Sequence, residues 1–123
     1  VAITSSPDYR FITNQSGGEL LVITGSVVNR YEHPRNLIKL EASLYDGQGE
    51  VIRTRSSFAG TVIPEDRLKK EGLGPLQTQL ASRQGGAGNV VAPGKSTPFM
   101  VLFGNMPENM EEFVVEVVSS RKA

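Results

Sequence analysis

One histidine, His33, and no cysteine stand in a chain of 123 residues, which narrows the chemistry its side chains could perform. A serine triad would have to draw its other members to His33 from distant positions, and a zinc site would have to be built largely from carboxylates. The plainer reading of His33 is an exposed loop residue. Gly94-Lys95-Ser96 has the ending of a phosphate-binding loop, in which backbone amides and a lysine cradle a nucleotide. The first glycine of that motif would fall at Asn89, and Pro98 would stop the helix that must follow, so a turn is expected.

Adjacent carboxylates occur at Glu65/Asp66 and Glu111/Glu112. Neighbours in a strand point to opposite faces, so Glu111 and Glu112 cannot easily act as an acid/base pair. Glu65 and Asp66 suit the positive end of a helix. Asp46-Gly47-Gln48-Gly49-Glu50 places oxygen donors near glycines, but it lacks the alternating acidic series a calcium loop needs and reads as a hairpin turn. These residues predict neither a catalytic centre nor a cofactor or metal site, and the chain is not expected to be an enzyme.

The stretch with the strongest recognition character is Arg30-Tyr31-Glu32-His33-Pro34-Arg35. Tyrosine and arginine are enriched at interface hot spots, and loops held by a rigid scaffold commonly carry binding residues. Arg30, Tyr31, His33 and Arg35 are therefore the candidate partner-binding residues, against the plainer reading of a solvated connection. Arg53 and Arg55, on a suspected edge strand, either contact a partner or guard the edge against unwanted strand addition.

The elements that position these residues are mostly strands. Period-two alternation predicts them at Asp8 to Thr13, Glu19 to Arg30, Asn36 to Tyr45, Glu50 to Ile63, Thr97 to Phe103 and Glu111 to Ser119. Leu21, Ile23, Gly25 and Val27 share one face, and Gly25 marks a bulge or a close approach. Ile38, Leu40, Ala42 and Leu44 form the inward row of the next strand. Asn14-Gln15-Ser16-Gly17-Gly18 is the expected turn of a hairpin.

From Pro64 to Arg83 the period becomes helical, with Leu73, Leu76 and Leu80 on one narrow stripe. Gly85-Gly86-Ala87-Gly88 is expected to end the helix as a flexible return. Short strands broken by one helical excursion predict an all-β fold: a single domain over residues 1–123, an immunoglobulin-like two-sheet β-sandwich with a helical insertion at about residues 64–84.

Lys plus Arg equals Asp plus Glu at 13 each, so no overall field draws the chain to nucleic acid. No stretch approaches the roughly 18 apolar residues of a membrane helix, so direct membrane insertion is not expected. The start Val1-Ala2-Ile3-Thr4 reads as a cut rather than a native N-terminus.

Gly25-Ser26-Val27-Val28-Asn29, Leu44-Tyr45-Asp46 with Gly49, Ala92-Pro93-Gly94 leading into Pro98-Phe99-Met100-Val101-Leu102-Phe103, and Glu112-Phe113-Val114-Val115 follow in that order. In this the chain resembles a bacterial family of unknown function over roughly residues 20 to 118. The Leu-Tyr-Asp element is also similar to that of FxLYD-type domains, although Leu40 and Ala42 replace the preceding phenylalanine. The resemblance implies an extracytoplasmic domain, in the periplasm or on the outer face of the cytoplasmic membrane, behind a zinc-ribbon-like module and a single membrane span. It carries no catalytic residues. The expected function is a non-catalytic interaction or scaffold domain with a protein partner. The alternative is a lipid- or glycan-binding module using space behind the Leu73, Leu76, Leu80 stripe.

Overall fold

The computed structural model describes residues 1–4, 6–15 and 18–123. Its strands are β1 (Ala2–Ile3), β2 (Asp8–Asn14), β3 (Gly18–Val28), β4 (Arg35–Asp46) and β5 (Val51–Phe58), then β6 (Ser96–Phe103) and β7 (Met110–Lys122). Three short helices separate β5 from β6: α1 (Glu65–Lys70), α2 (Leu73–Leu80) and α3 (Arg83–Gly88). In one sheet β3 pairs with β1 and β2 along one edge and with β6 along the other; the second sheet runs β5-β4-β7, and every pairing is antiparallel. The all-β two-sheet sandwich is thus the observed fold.

Alternation explains how the sheets meet. Leu21, Ile23 and Val27 of β3 pack against Ile38, Leu40, Ala42 and Leu44 of β4 and against Phe99, Val101 and Phe103 of β6. Gly25 answers a close approach rather than a bulge. It lies opposite Phe99 in an unbroken register, and a Cβ there would stand 2.7 Å from the Phe99 ring.

The opposite face of the first sheet is also buried. Ile12, Val22, Met100 and Leu102 form a second apolar cluster with Ile63, Leu68, Leu76 and Leu80. The helical segment is therefore a strap, seated on the outer face of the first sheet. Burying each of its leucines contributes about 1.5–3 kcal/mol. The Asn14 side chain donates to the carbonyls of Leu68 (2.6 Å) and Glu71 (2.8 Å), closing the end of α1. The Gln77 amide donates to the Leu102 carbonyl (3.0 Å), tying α2 to β6.

Several boundaries differ from expectation. β5 stops at Phe58 because the chain turns at Gly60, where φ is +105° and the Asn89 side chain leaves no room for a Cβ. β1, two residues long, is too short for alternation to reveal. The expected flexible glycine return is instead helix α3, so the insertion runs on to Gly88. A Cβ on Gly86 would stand 2.7 Å from the Phe58 ring, so glycine is needed for contact rather than for freedom. Ser82 starts this helix by accepting from the Gly85 amide. Of the expected turn at Asn14–Gly18, Ser16 and Gly17 lie outside the described residues; β2 and β3 flank it as a hairpin, paired from Asp8↔Thr24 to Asn14↔Gly18.

Candidate functional site

The Arg30–Arg35 loop is built on Asn29, which closes the apolar run of β3 and is fully buried. Its amide nitrogen donates to the carbonyls of His33 (2.9 Å) and Val91 (2.8 Å), and its side-chain oxygen accepts from the Tyr31 amide (2.9 Å). Its own backbone pairs with Lys95 and Gly94. A single side chain thus joins three parts of the chain, as an amide with both donor and acceptor capacity can.

Arg35 opens β4 and bridges with Val91 through paired backbone bonds of 3.0 and 2.8 Å. Its guanidinium donates to the Ser120 hydroxyl (2.9 and 3.1 Å) and to the Ser120 carbonyl (3.2 Å). It also lies 4.1 Å from the centre of the Tyr31 ring, a cation–π arrangement. Arg35 is therefore a brace, holding β4 to the end of β7 and presenting Tyr31. Arg30, Tyr31 and His33 remain exposed.

The structure brings these residues to one end of the sandwich. Arg35 and Asn36 pair with Lys122 and Arg121, and Lys95 contacts Asn29. Residue 1 lies here too, near Arg35 and Arg30. At the far end of the second sheet stand Asp46, Glu50, Glu111 and Glu112, with Asp46 paired to Met110 and Tyr45 to Glu112. The zero net charge therefore conceals a lengthwise separation, basic at the Arg30–Arg35 loop and acidic at the Asp46 turn. Linear sequence does not display it, because the partners are brought together by the β4–β7 ladder.

The other candidates resolve into local structure. Gly94 has φ +76° and Ser96 enters β6, so Gly94-Lys95-Ser96 is a turn into a strand. Asp46 accepts from the amides of Gln48 and Glu50 at 2.9 Å each, spending one carboxylate oxygen on its own turn. Glu65 pairs with Arg10 (2.8 Å) and Lys69 (3.8 Å) in the first turn of α1. Arg53, on the edge strand β5, donates to the Gly104 carbonyl (2.6 Å). No group of three or more His, Asp or Glu residues among those described is placed to hold a metal.

Leu76 and Leu80 are spent on the sheet beneath them, and Leu73 packs beside them. An open cleft of about 480 Å³ lies between α2 and strands β5 and β6, with a mixed lining: Thr54, Ser56 and Gln77 are polar, Leu80, Val101 and Leu102 apolar. No helix is long and apolar enough to cross a membrane among the described residues.

Fold and site together define a two-sheet β-sandwich with a helical strap, its Arg30–Arg35 loop exposed at one end. Residues 4–117 match the model of the family described as "Protein of unknown function (DUF3426)", and the chain belongs to that family. No curated protein and no solved structure matches it.

Proposed function

We propose that this domain is a non-catalytic interaction module, displayed outside the cytoplasm by an upstream membrane span and engaging a protein partner through Arg30, Tyr31 and His33. The observation that carries the reading is the bracing of the loop. Asn29 and Arg35 immobilise its backbone and the Tyr31 ring while three recognition side chains stay in solvent. Such pre-organisation lowers the entropic cost of binding, and the surrounding cations favour an acidic partner surface.

A photo-crosslinking amino acid at position 31 of the full-length protein, expressed in its native cells, should capture one dominant partner. The same probe at Glu50, at the acidic end, should not. Addition of Arg30→Glu should abolish the cross-link, and undiminished capture would remove the loop from consideration. Localisation is tested on whole cells with Lys70→Cys: labelling by a membrane-impermeant maleimide is expected, and protection until lysis would place the domain inside.

The small-ligand alternative would act at the cleft between α2 and the sandwich, whose mixed polar and apolar lining selects neither a glycan nor a lipid.

A further inference from the structure

Tyr9 and Phe11 of β2 share the parity of their cross-strand partners Ile23 and Leu21, which face the core and are fully buried. Yet Tyr9 is 61% exposed and Phe11 46%. The cause is their place at an edge of the sandwich. β2 is an edge of the first sheet and β7 an edge of the second, and no described strand lies beyond either. The inward face of β2 is therefore met by β7 on its core side and left open on the other. Tyr9 meets Phe11 edge-on at 6.3 Å and Phe113 of β7 at 5.7 Å. These rings line an open cleft of about 390 Å³ that also reaches Leu21 and Met110.

β7 borders this cleft with one edge paired to β4 and the other unpaired by any described strand. Its inward residues Phe113, Val115 and Val117 pack on the core, while Glu112, Val114 and Glu116 are exposed. Glu116 stands directly across from Glu41, a like-charge pair that disfavours the bare sheet. The ion pairs among the described residues lie elsewhere, at Arg10–Glu65, Arg67–Glu71 and Lys69–Glu65. A register shift between Lys39 and Leu40 leaves Val118 out of step and limits the regular edge to residues before it.

We propose that the free edge of β7, over Glu111 to Val117, accepts an extended segment of a partner protein as an additional strand. That segment is apolar at one parity, covering Tyr9, Phe11 and Phe113, and carries Lys or Arg at the other, facing Glu112 and Glu116. Unpaired backbone, inward aromatic rings left in solvent and an uncompensated acidic row all point to this occupant. A second copy's β7 fits poorly, because it brings the same glutamates and its apolar face is already committed to its own core. The inference rests on the domain being an interaction module but uses a different surface from the Arg30–Arg35 loop.

The probe is a synthetic nine-residue peptide alternating Val and Lys, blocked at both ends, titrated into the isotope-labelled domain. Amide shifts and slowed hydrogen exchange are expected at residues 111–117, with shifts at Tyr9 and Phe11. A peptide of the same length with a central proline should bind at least tenfold more weakly. Glu112→Lys with Glu116→Lys should invert the preference towards an alternating Val/Glu peptide, and Tyr9→Ser should weaken both peptides; retained spectral dispersion confirms folding of each variant. Shifts spread evenly over the acidic end, equal binding of the proline peptide, or an unchanged charge preference would overturn the proposal. So would sedimentation showing that β7 pairs with a second copy. Peptide binding with no cross-link at position 31 would remove the loop reading alone, and the converse would remove this one alone.

Discussion

Asn29 and Gly25 show how much a single side chain decides in this fold. Asn29 is fully buried with its donors and acceptor satisfied, so Asn29→Ala removes three hydrogen bonds and takes from the His33 carbonyl and the Tyr31 amide their partner, while the Val91 carbonyl keeps the Arg35 amide. A loss of about 2–4 kcal/mol is expected, read as a lower urea midpoint at unchanged slope. A loss below about 1 kcal/mol would mean that water replaces the amide. Gly25→Ala drives a methyl group into the Phe99 ring and should cost about 1–3 kcal/mol. Adding Phe99→Leu should recover part of that cost in a double-mutant cycle; strict additivity would sink the contact. Both roles were partly legible, since Asn after an apolar run suggests a capping amide and Gly in a strand suggests close approach. The identities of the contacted groups, Val91 and Phe99, were not.

Among the elements, the strap from α1 to α3 departs most from local propensity. Its middle is held at the surface by Arg67, which pairs with Glu71 and donates to Gln79 at 2.6 Å. The hydrogen bond from Arg67 is the main cause holding the Glu71 carboxyl below its ordinary 4.5. Because the folded value is depressed, the stabilisation is fully present above about 4.5 and fades as pH falls through the folded value. Amide protection in α1 and α2, relative to the intrinsic rate at each pH, should therefore fall below that range ahead of the sandwich strands, and Glu71→Gln should flatten the dependence. Protection lost uniformly along the chain would show that the pair plays no local part. The global effect should be small, because the pair lies at the surface and is screened.

At the scale of the whole molecule, the fold joins distant segments: Ala42 pairs with Val115 and Leu21 with Phe103. Such non-local pairing delays the gain in contacts until long loops have closed, so refolding in roughly milliseconds to seconds is expected, measured by stopped-flow fluorescence of the tyrosines. Complete refolding within microseconds would contradict that picture. The same long-range ladders gather the charges of the second sheet into a basic and an acidic end. Composition, which balances them, reveals nothing of that asymmetry.

Sequence alone determined the period-two rows, the turn at Asp46, the helical stretch after Pro64 and the all-β class, because each follows from local periodicity and backbone preference. It also singled out the Arg30–Arg35 loop by residue type. Only the tertiary structure decided that Arg35 is a brace rather than a free contact, that the glycine run folds as α3, and that Tyr9 and Phe11 face inward yet remain exposed. Each of these depends on a neighbour far along the chain: Ser120, Phe58, and the edge strand β7. Alternation states which way a side chain points, but its distance from the edge of the sandwich decides whether anything covers it.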